Sequence, residues 1–410
     1  MSRPVAESAR STFSVGARAL AVTGVYIAAA VAVLLTVIVL RGQIAPASLR
    51  GVLGFVFVAT LAAGLEPGTV KAAALGEAGV KVASLGAFLG AGALKAILVS
   101  PILAVLWRFA DPAADVAMLI WTPLIAIAGF GATDLRVLLD LRGRHALAIG
   151  LKQGSLAGGV VLLGLLVACG VPLFWAIGVS TLARVALLAI APLSSPESRP
   201  FGMIWREARA LLADGRWLDL AAVSVIAAAG GSTDRMFGLR YLAPAVYGGY
   251  YLTYELLTKF WLLPYVLSPI LFAREAAGED SRGFARGAWG LTAAAGAGFL
   301  VVVAGLLLIT PGLFTRVIGA SFGLATLGFA GAVVIGSFGQ LRLARLQGSG
   351  RSRQAAAAMA LSAAVSVPLF FVAARTFGAR GLLLAWLVKA LVELAALMWG
   401  GWRGLVAKPL

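Results

Sequence analysis

Apolar runs of about twenty residues, each nearly free of charge, follow one another along the whole chain. A run of that length crosses the ~30 Å hydrocarbon core of a bilayer as a single helix. Lipid offers the backbone no hydrogen-bond partner, so only helices and closed barrels span it. The runs predict twelve spans. In the first half they lie at roughly 19–40, 46–65, 83–107, 114–133, 149–169 and 172–193, and in the second at roughly 217–236, 246–271, 285–309, 318–341, 355–376 and 381–402. Only 12% of the residues are charged and 61% are hydrophobic, against about 25% charged in a soluble domain. The expected fold is an all-α polytopic membrane protein of about twelve transmembrane helices, with no sizeable soluble domain.

The segment Ile44-Ala-Pro-Ala-Ser-Leu-Arg-Gly51 returns 198 residues later as Leu242-Ala-Pro-Ala-Val-Tyr-Gly-Gly249, again between two apolar runs. A loop repeated at half-chain spacing in the same hydropathic context predicts two related six-helix lobes. The expected division is an N-terminal lobe over 1–193, a cytoplasmic linker over 194–216 and a C-terminal lobe over 217–410, with a central cavity between the lobes. Internal repeats of spanning bundles mark transporters, whose lobes rock around a site at their interface.

The formal net charge is +17. In a soluble protein that excess points to nucleic acid; here basic cytoplasmic loops that set topology account for it, and nucleic acid is not an expected partner, whereas anionic membrane lipids are. With the N-terminus inside, most arginines and lysines fall on cytoplasmic segments, whereas Arg41, Arg50, Arg108, Arg235, Arg240, Arg316, Arg375 and Arg380 fall on the opposite side. Both termini are therefore expected in the cytoplasm. Met1 to Arg18 reads as a cytoplasmic tail, and the long apolar run after it as a mature span rather than a signal peptide. In the linker, Met203 to Leu212 alternates apolar and basic residues as a helix lying on the membrane surface does. One cysteine, Cys169, and one histidine, His145, leave no intramolecular disulfide and argue against a Cys/His metal cage or a histidine triad. No metal or cofactor is expected.

Ionisable groups inside spans are costly and normally face a cavity or a partner. Four basic residues stand out, Lys95, Arg184, Lys259 and Lys389. Tyr251, Glu255 and Lys259 share one helix face at four-residue spacing, and Tyr247, Tyr250 and Tyr254 add rings nearby. The same residues also fit simpler roles: an aromatic belt at the water interface for Tyr247 and Tyr250, and an internal i,i+4 ion pair for Glu255 and Lys259. Lys389 and Glu393 repeat that spacing and read as a structural pair. Lys95 and Arg184 have no acidic residue at helical spacing, and Arg184 can alternatively snorkel to headgroups. Asp234 and Arg235 read as the charged end of span seven at the outer surface. With Arg41, Arg50 and Arg240 they form candidates for an outer rim or gate. Pro264 and Pro269 predict a kink in span eight.

The segment Asp234-Arg235-Met-Phe-Gly-Leu-Arg240-Tyr-Leu-Ala-Pro-Ala-Val-Tyr-Gly-Gly-Tyr-Tyr251, followed by a long apolar helix ending Leu267-Ser-Pro-Ile-Leu-Phe-Ala-Arg274, resembles the polysaccharide (O-antigen, Wzx-like) flippases of the multidrug/oligosaccharidyl-lipid/polysaccharide exporter superfamily. Arg41 to Gly51 and Gly64-Leu65-Glu66-Pro67-Gly68 match the family pattern more loosely. Twelve spans rather than fourteen set the chain apart from lipid II flippases. The resemblance implies a V-shaped 6+6 bundle in a bacterial inner membrane, with spans 1, 2, 7 and 8 lining the cavity. Its cargo would be an undecaprenyl-diphosphate-linked oligosaccharide moved from the cytoplasmic to the periplasmic leaflet. Lys95, Arg184 and Lys259 are then candidates for the cargo phosphates, and Tyr251, Tyr254 and Glu255 for the rest of the site. A coupling ion, H⁺ or Na⁺, and a glycan polymerase are the further partners such a role implies.

Two other functions compete. A multidrug/cation antiporter of the same superfamily needs a buried carboxylate, and apart from Asp115 at the outer edge of the fourth span the first-half spans hold none. A membrane glycan polymerase or ligase needs large loops bearing catalytic groups, and every loop here is short. The sign of the charge in the inter-lobe cavity separates the first two: basic for a lipid diphosphate, acidic in the N-terminal lobe for drug antiport.

Overall fold

The computed structural model describes residues 24, 28–29, 31–40, 43–65, 85–141, 144–193, 201–213, 216–278, 281–310, 312 and 322–406. These residues are almost entirely helical. The first half holds α1 (Val31–Leu40), α2 (Pro46–Gly64), α3 (Leu85–Ala110), α4 (Thr122–Leu141), α5 (His145–Ala168) and α6 (Leu173–Leu193). A 13-residue helix, α7 (Phe201–Ala213), occupies the linker. The second half holds α8 (Arg216–Tyr241), α9 (Pro244–Leu257) continued through a 3-10 turn into α10 (Leu262–Ala276), α11 (Arg282–Ile309), α12 (Leu324–Gly348), α13 (Ser352–Thr376) and α14 (Gly378–Val406). Counting α9 and α10 as one span gives the expected six and six.

Among the described residues, nine helices are long and apolar enough to cross a membrane; the apolar stretches of α1 and α6 are shorter. The twelfth, α8, has the length at 26 residues but is less apolar, because Asp219, Asp234, Arg235 and Arg240 lie along it. It also runs on to Tyr241. Asp234 and Arg235 therefore sit inside the bundle, not at its surface as their position near the end of the apolar run implies.

The repeated Ala-Pro segment builds the same turn twice. Ala45 has φ −58° and ψ 145°, Ala243 has φ −60° and ψ 144°, and each is followed by proline at the first helical position. Proline there gives up an N–H that would have had no helical partner. The preceding helix closes on Ile44 in one copy and Leu242 in the other, each donating its N–H four residues back at 3.0 Å. Thus α1–α2 and α8–α9 are equivalent hairpins.

α2 is the most buried of the apolar spans. It packs on α4 and α5 within its own half and on α8 and α9 of the other. α2 and α4 approach so closely that a Cβ at Gly129 would lie 2.6 Å from the backbone carbon of Ala62, and the Thr133 hydroxyl donates to Ala63 O at 2.8 Å beside this contact. In lipid, where apolar surface gains little by leaving the solvent, such small-residue contacts hold helices together. α7 lies against α3 through Ala208, which is fully buried on Ala87 and Ala91, and leaves Met203, Trp205, Arg206 and Arg209 exposed.

Gly129→Ala is expected to lower the midpoint of thermal unfolding in detergent, since overpacking at a backbone contact costs about 1–3 kcal/mol. Gly154→Ala, whose added methyl meets nothing within 4 Å, is expected to leave it unchanged or raise it.

Candidate functional site

A cavity of about 360 Å³ lies between the two halves. The first half contributes α1, α2, α4 and α5, through residues such as Val33, Val56, Thr60, Arg136 and Lys152. The second contributes α8, α9, the 3-10 turn, α10 and α12–α14, through residues such as Arg235, Tyr254, Tyr265, Gln340, Met359 and Lys389. A second cavity of about 270 Å³ adjoins it and shares Arg136, Lys152, Tyr265 and Gln340; it extends along α10 to Phe272 and α12 to Gln347, toward the linker end of the bundle.

Five basic side chains line the main cavity: Arg136, Lys152, Arg235, Lys259 and Lys389. Two carboxylates accompany them, Glu255 and Glu393, so among the described residues the wall carries a formal excess of three positive charges. Each carboxylate is held by a lysine one turn away, Glu255 Oε2 by Lys259 Nζ at 2.6 Å and Glu393 Oε2 by Lys389 Nζ at 2.5 Å.

The break in the eighth span places one of these pairs. Pro264 has no N–H to give to Phe260, so the helix cannot continue through it unchanged. The chain instead tightens into a 3-10 turn over Thr258–Trp261 before α10 resumes, and Lys259 and Trp261 from that turn both reach the cavity. The kink expected from Pro264 is present as this turn. Pro269 lies inside α10.

Arg235 is a cavity residue rather than a rim residue. Its guanidinium crosses to α2, donating to Thr60 Oγ1 at 3.2 Å, and donates to Gly231 O at 3.1 Å and Ser232 Oγ at 2.9 Å on its own helix. It also lies over the Tyr254 ring, 4.9 Å from the centroid, where the ring face attracts a cation. Asp234 is fully buried behind it, accepts a hydrogen bond from Tyr250 and has Arg235 Nε at 3.9 Å. Tyr247 and Tyr250 are likewise buried among helices and form no belt at a water interface. Their place is dictated by Asp234 and by ring packing, with Tyr247 and Tyr250 centroids 6.3 Å apart.

Of the residues singled out in the sequence, Tyr251, Tyr254, Glu255 and Lys259 lie on the cavity wall. Lys95 and Arg184 do not. Lys95 Nζ sits 3.6 Å from the Trp217 ring centroid and interacts electrostatically with Asp134. Asp134 also corrects the expectation that first-half spans hold no acid: it lies in α4, one residue beyond the span drawn from hydropathy, and is buried. Arg184 is buried at 3% exposure against α5, where only a glycine fits beside it; a Cβ at Gly159 would lie 2.4 Å from Arg184 Cδ. Arg136 and Lys152 escape sequence reasoning because near span ends they are indistinguishable from topology-setting charges. Lys389 and Glu393 form the expected ion pair, and the pair lines the cavity as well.

The outer candidates Arg50 and Arg240 each bond across to the other half, at the end opposite the second cavity. Arg50 Nε bonds Asp111 Oδ1 at 2.8 Å, and its Nη2 donates to Leu239 O of α8 at 2.9 Å. Arg240 Nη1 donates to Phe109 O of α3 at 2.6 Å and lies 4.5 Å from that ring's centroid. Phe109 packs edge-on against Phe237 at 6.2 Å. Arg41 lies outside the described residues.

No family model matches the sequence, and no curated protein matches it significantly. Solved structures do match the fold. They include a point mutant of the MATE transporter VcmN of Vibrio cholerae (TM-score 0.62, 15% identity, 97% of this chain and 99% of that one). They also include a transporter of the MOP superfamily from Pyrococcus furiosus for which reverse polarity of the binding pocket suggests a different function (TM-score 0.61, 15% identity, 95% of each chain). A third is the eukaryotic MATE transporter AtDTX14 (TM-score 0.58, 17% identity, 96% and 94%).

Arg50→Gln is expected to loosen the contact between the halves at this end, since it removes the charge held by Asp111. In a Cys169→Ser background, Thr60→Cys should react several-fold faster with a membrane-impermeant thiol reagent applied from that side when Arg50→Gln is also present.

Proposed function

We propose that this chain is a membrane transporter that binds an anionic amphiphile in its inter-lobe cavity and passes it across the bilayer by alternating access. Two rocking lobes, 1–193 and 217–410, are joined by the linker 194–216. The cargo class is a diphosphate-linked lipid bearing an oligosaccharide, moved from the cytoplasmic to the periplasmic leaflet of a bacterial inner membrane. The observation that carries this reading is the cavity's charge, with five cations against two carboxylates among the described residues. An anion taken into a low-dielectric passage needs fixed positive groups and N–H donors, which Arg136, Lys152, Arg235, Lys259 and Lys389 provide. Trp261, Tyr265 and Trp386 on the same wall offer ring faces on which sugars stack. If the linker end is cytoplasmic, as the distribution of basic loops implies, the structure is in an inward-open state, with Arg50 and Arg240 closing the periplasmic side.

The fold is shared with multidrug resistance transporters of the MATE family, and that likeness favours a second reading, export of cationic drugs in exchange for H⁺ or Na⁺. Buried carboxylates at Asp134 and Asp234 suit it. At 14–17% identity the likeness extends to the fold, and the P. furiosus transporter of the same superfamily has a pocket of reverse polarity. The basic wall supports an anion as cargo.

Reconstitution into proteoliposomes tests the choice. Wild-type protein is expected to expose a lipid-linked diphosphate oligosaccharide to an external glycosidase. Lys259→Gln and Lys389→Gln should each weaken its binding about tenfold to a hundredfold, since a charged hydrogen bond contributes about 1.5–3 kcal/mol. Efflux of a cationic dye, indifferent to both substitutions and unaccompanied by lipid exposure, establishes the antiporter instead.

A further inference from the structure

Both carboxylates on the cavity wall are paired with lysines that also line it, Glu255 with Lys259 and Glu393 with Lys389, at 2.6 and 2.5 Å. The two pairs come from different spans, the first from α9 and the 3-10 turn and the second from α14. Arg235 of α8 and Tyr251 of α9 also lie within electrostatic reach of Glu255, and Glu393 abuts α12 at Gly339. The remaining charged or titratable side chains on the wall are Arg136 of α4, Lys152 of α5, Tyr254 of α9 and Tyr265 of α10.

We infer that an anion loading the cavity takes Lys259 and Lys389 from their glutamates, and that Glu255 and Glu393 each bind a proton as it does so. This rests on the anionic-cargo reading above. A lysine ammonium that turns to a phosphate-like oxygen no longer balances its carboxylate. A carboxylate stripped of its cation in a largely buried setting is unstable as an anion and neutralises instead. The protons come from the bulk solution as hydronium: each O–H bond broken in hydronium is replaced by one formed on a carboxylate, water is released, and no other bond changes. A dianion and two protons together add no net charge, so the wall and its contents carry the same formal charge empty and loaded. The membrane potential then acts equally on both states.

The test uses full-length protein in detergent and sulfate, a dianion throughout the range of interest. Binding is read from tryptophan fluorescence, because Trp261 and Trp386 line the cavity. The apparent Kd is expected to rise at least tenfold from pH 6 to pH 8, since protons linked to binding make affinity fall with pH. The double variant E255Q/E393Q is expected to bind more tightly and with no pH dependence. A pH-indicator dye in weak buffer gives a second readout on wild-type protein alone: about two protons are taken up per sulfate bound. Sulfate binding with the same Kd across the range and no proton uptake overturns the inference and leaves the anionic cargo standing. Failure of both sulfate and pyrophosphate to bind at any pH removes the cargo reading, and this inference with it.

Discussion

A cation held inside a membrane-spanning bundle must be answered by a carboxylate, by oriented dipoles or by an anion from outside. The protein uses the first two answers where it needs rigidity. Lys95 lies between Asp134 and Trp217, and Arg50 spans Asp111 and a carbonyl of α8. Arg235 is spread over Thr60, Ser232 and Gly231. At the cavity, among the described residues, five cations and two carboxylates line one wall. On the proposed reading, an anionic ligand balances that excess.

Helix geometry puts that charge there. The Ala-Pro turn at residues 45–46 and again at 243–244 starts α2 and α9 in the same way, and α2 packs on both α8 and α9. α2, buried along most of its length, then becomes the shared wall. The proline after the 3-10 turn interrupts the facing helix at the level of Lys259 and Trp261. A straight helix would space Glu255, Lys259 and the following aromatics along one stripe; the tightened turn re-aims the residues after Thr258. The same helices are also joined at the opposite end, through Arg50 to Leu239 O and Arg240 to Phe109.

Much of this is legible in the sequence because lipid enforces a simple rule: each crossing needs about twenty apolar residues. That rule yields twelve spans, and the repeated loop pairs them. Tyr251, Tyr254, Glu255 and Lys259 stand out because helical spacing puts polar groups on one face. Charges near span ends mislead. Asp134 falls one residue outside a span drawn by hydropathy, which hides it as the neighbour of Lys95. Arg136 and Lys152 look like topology signals, and Asp234 and Arg235 look like a helix end, because hydropathy stops where charge begins whether or not the helix does. Lys95 and Arg184 are misplaced for a different reason. Depth in a span says that a cation needs an environment, not whether that environment is a cavity or, as for Arg184 against Gly159, a neighbouring helix.

The sign of the cavity is open to direct measurement. Two amphiphiles with the same alkyl tail, one ending in a diphosphate and the other in a quaternary ammonium, can be titrated against the purified protein by native mass spectrometry and by fluorescence at low and high salt. A basic passage predicts tighter binding of the diphosphate and a preference that shrinks as salt screens the wall. Tighter binding of the ammonium compound would contradict it.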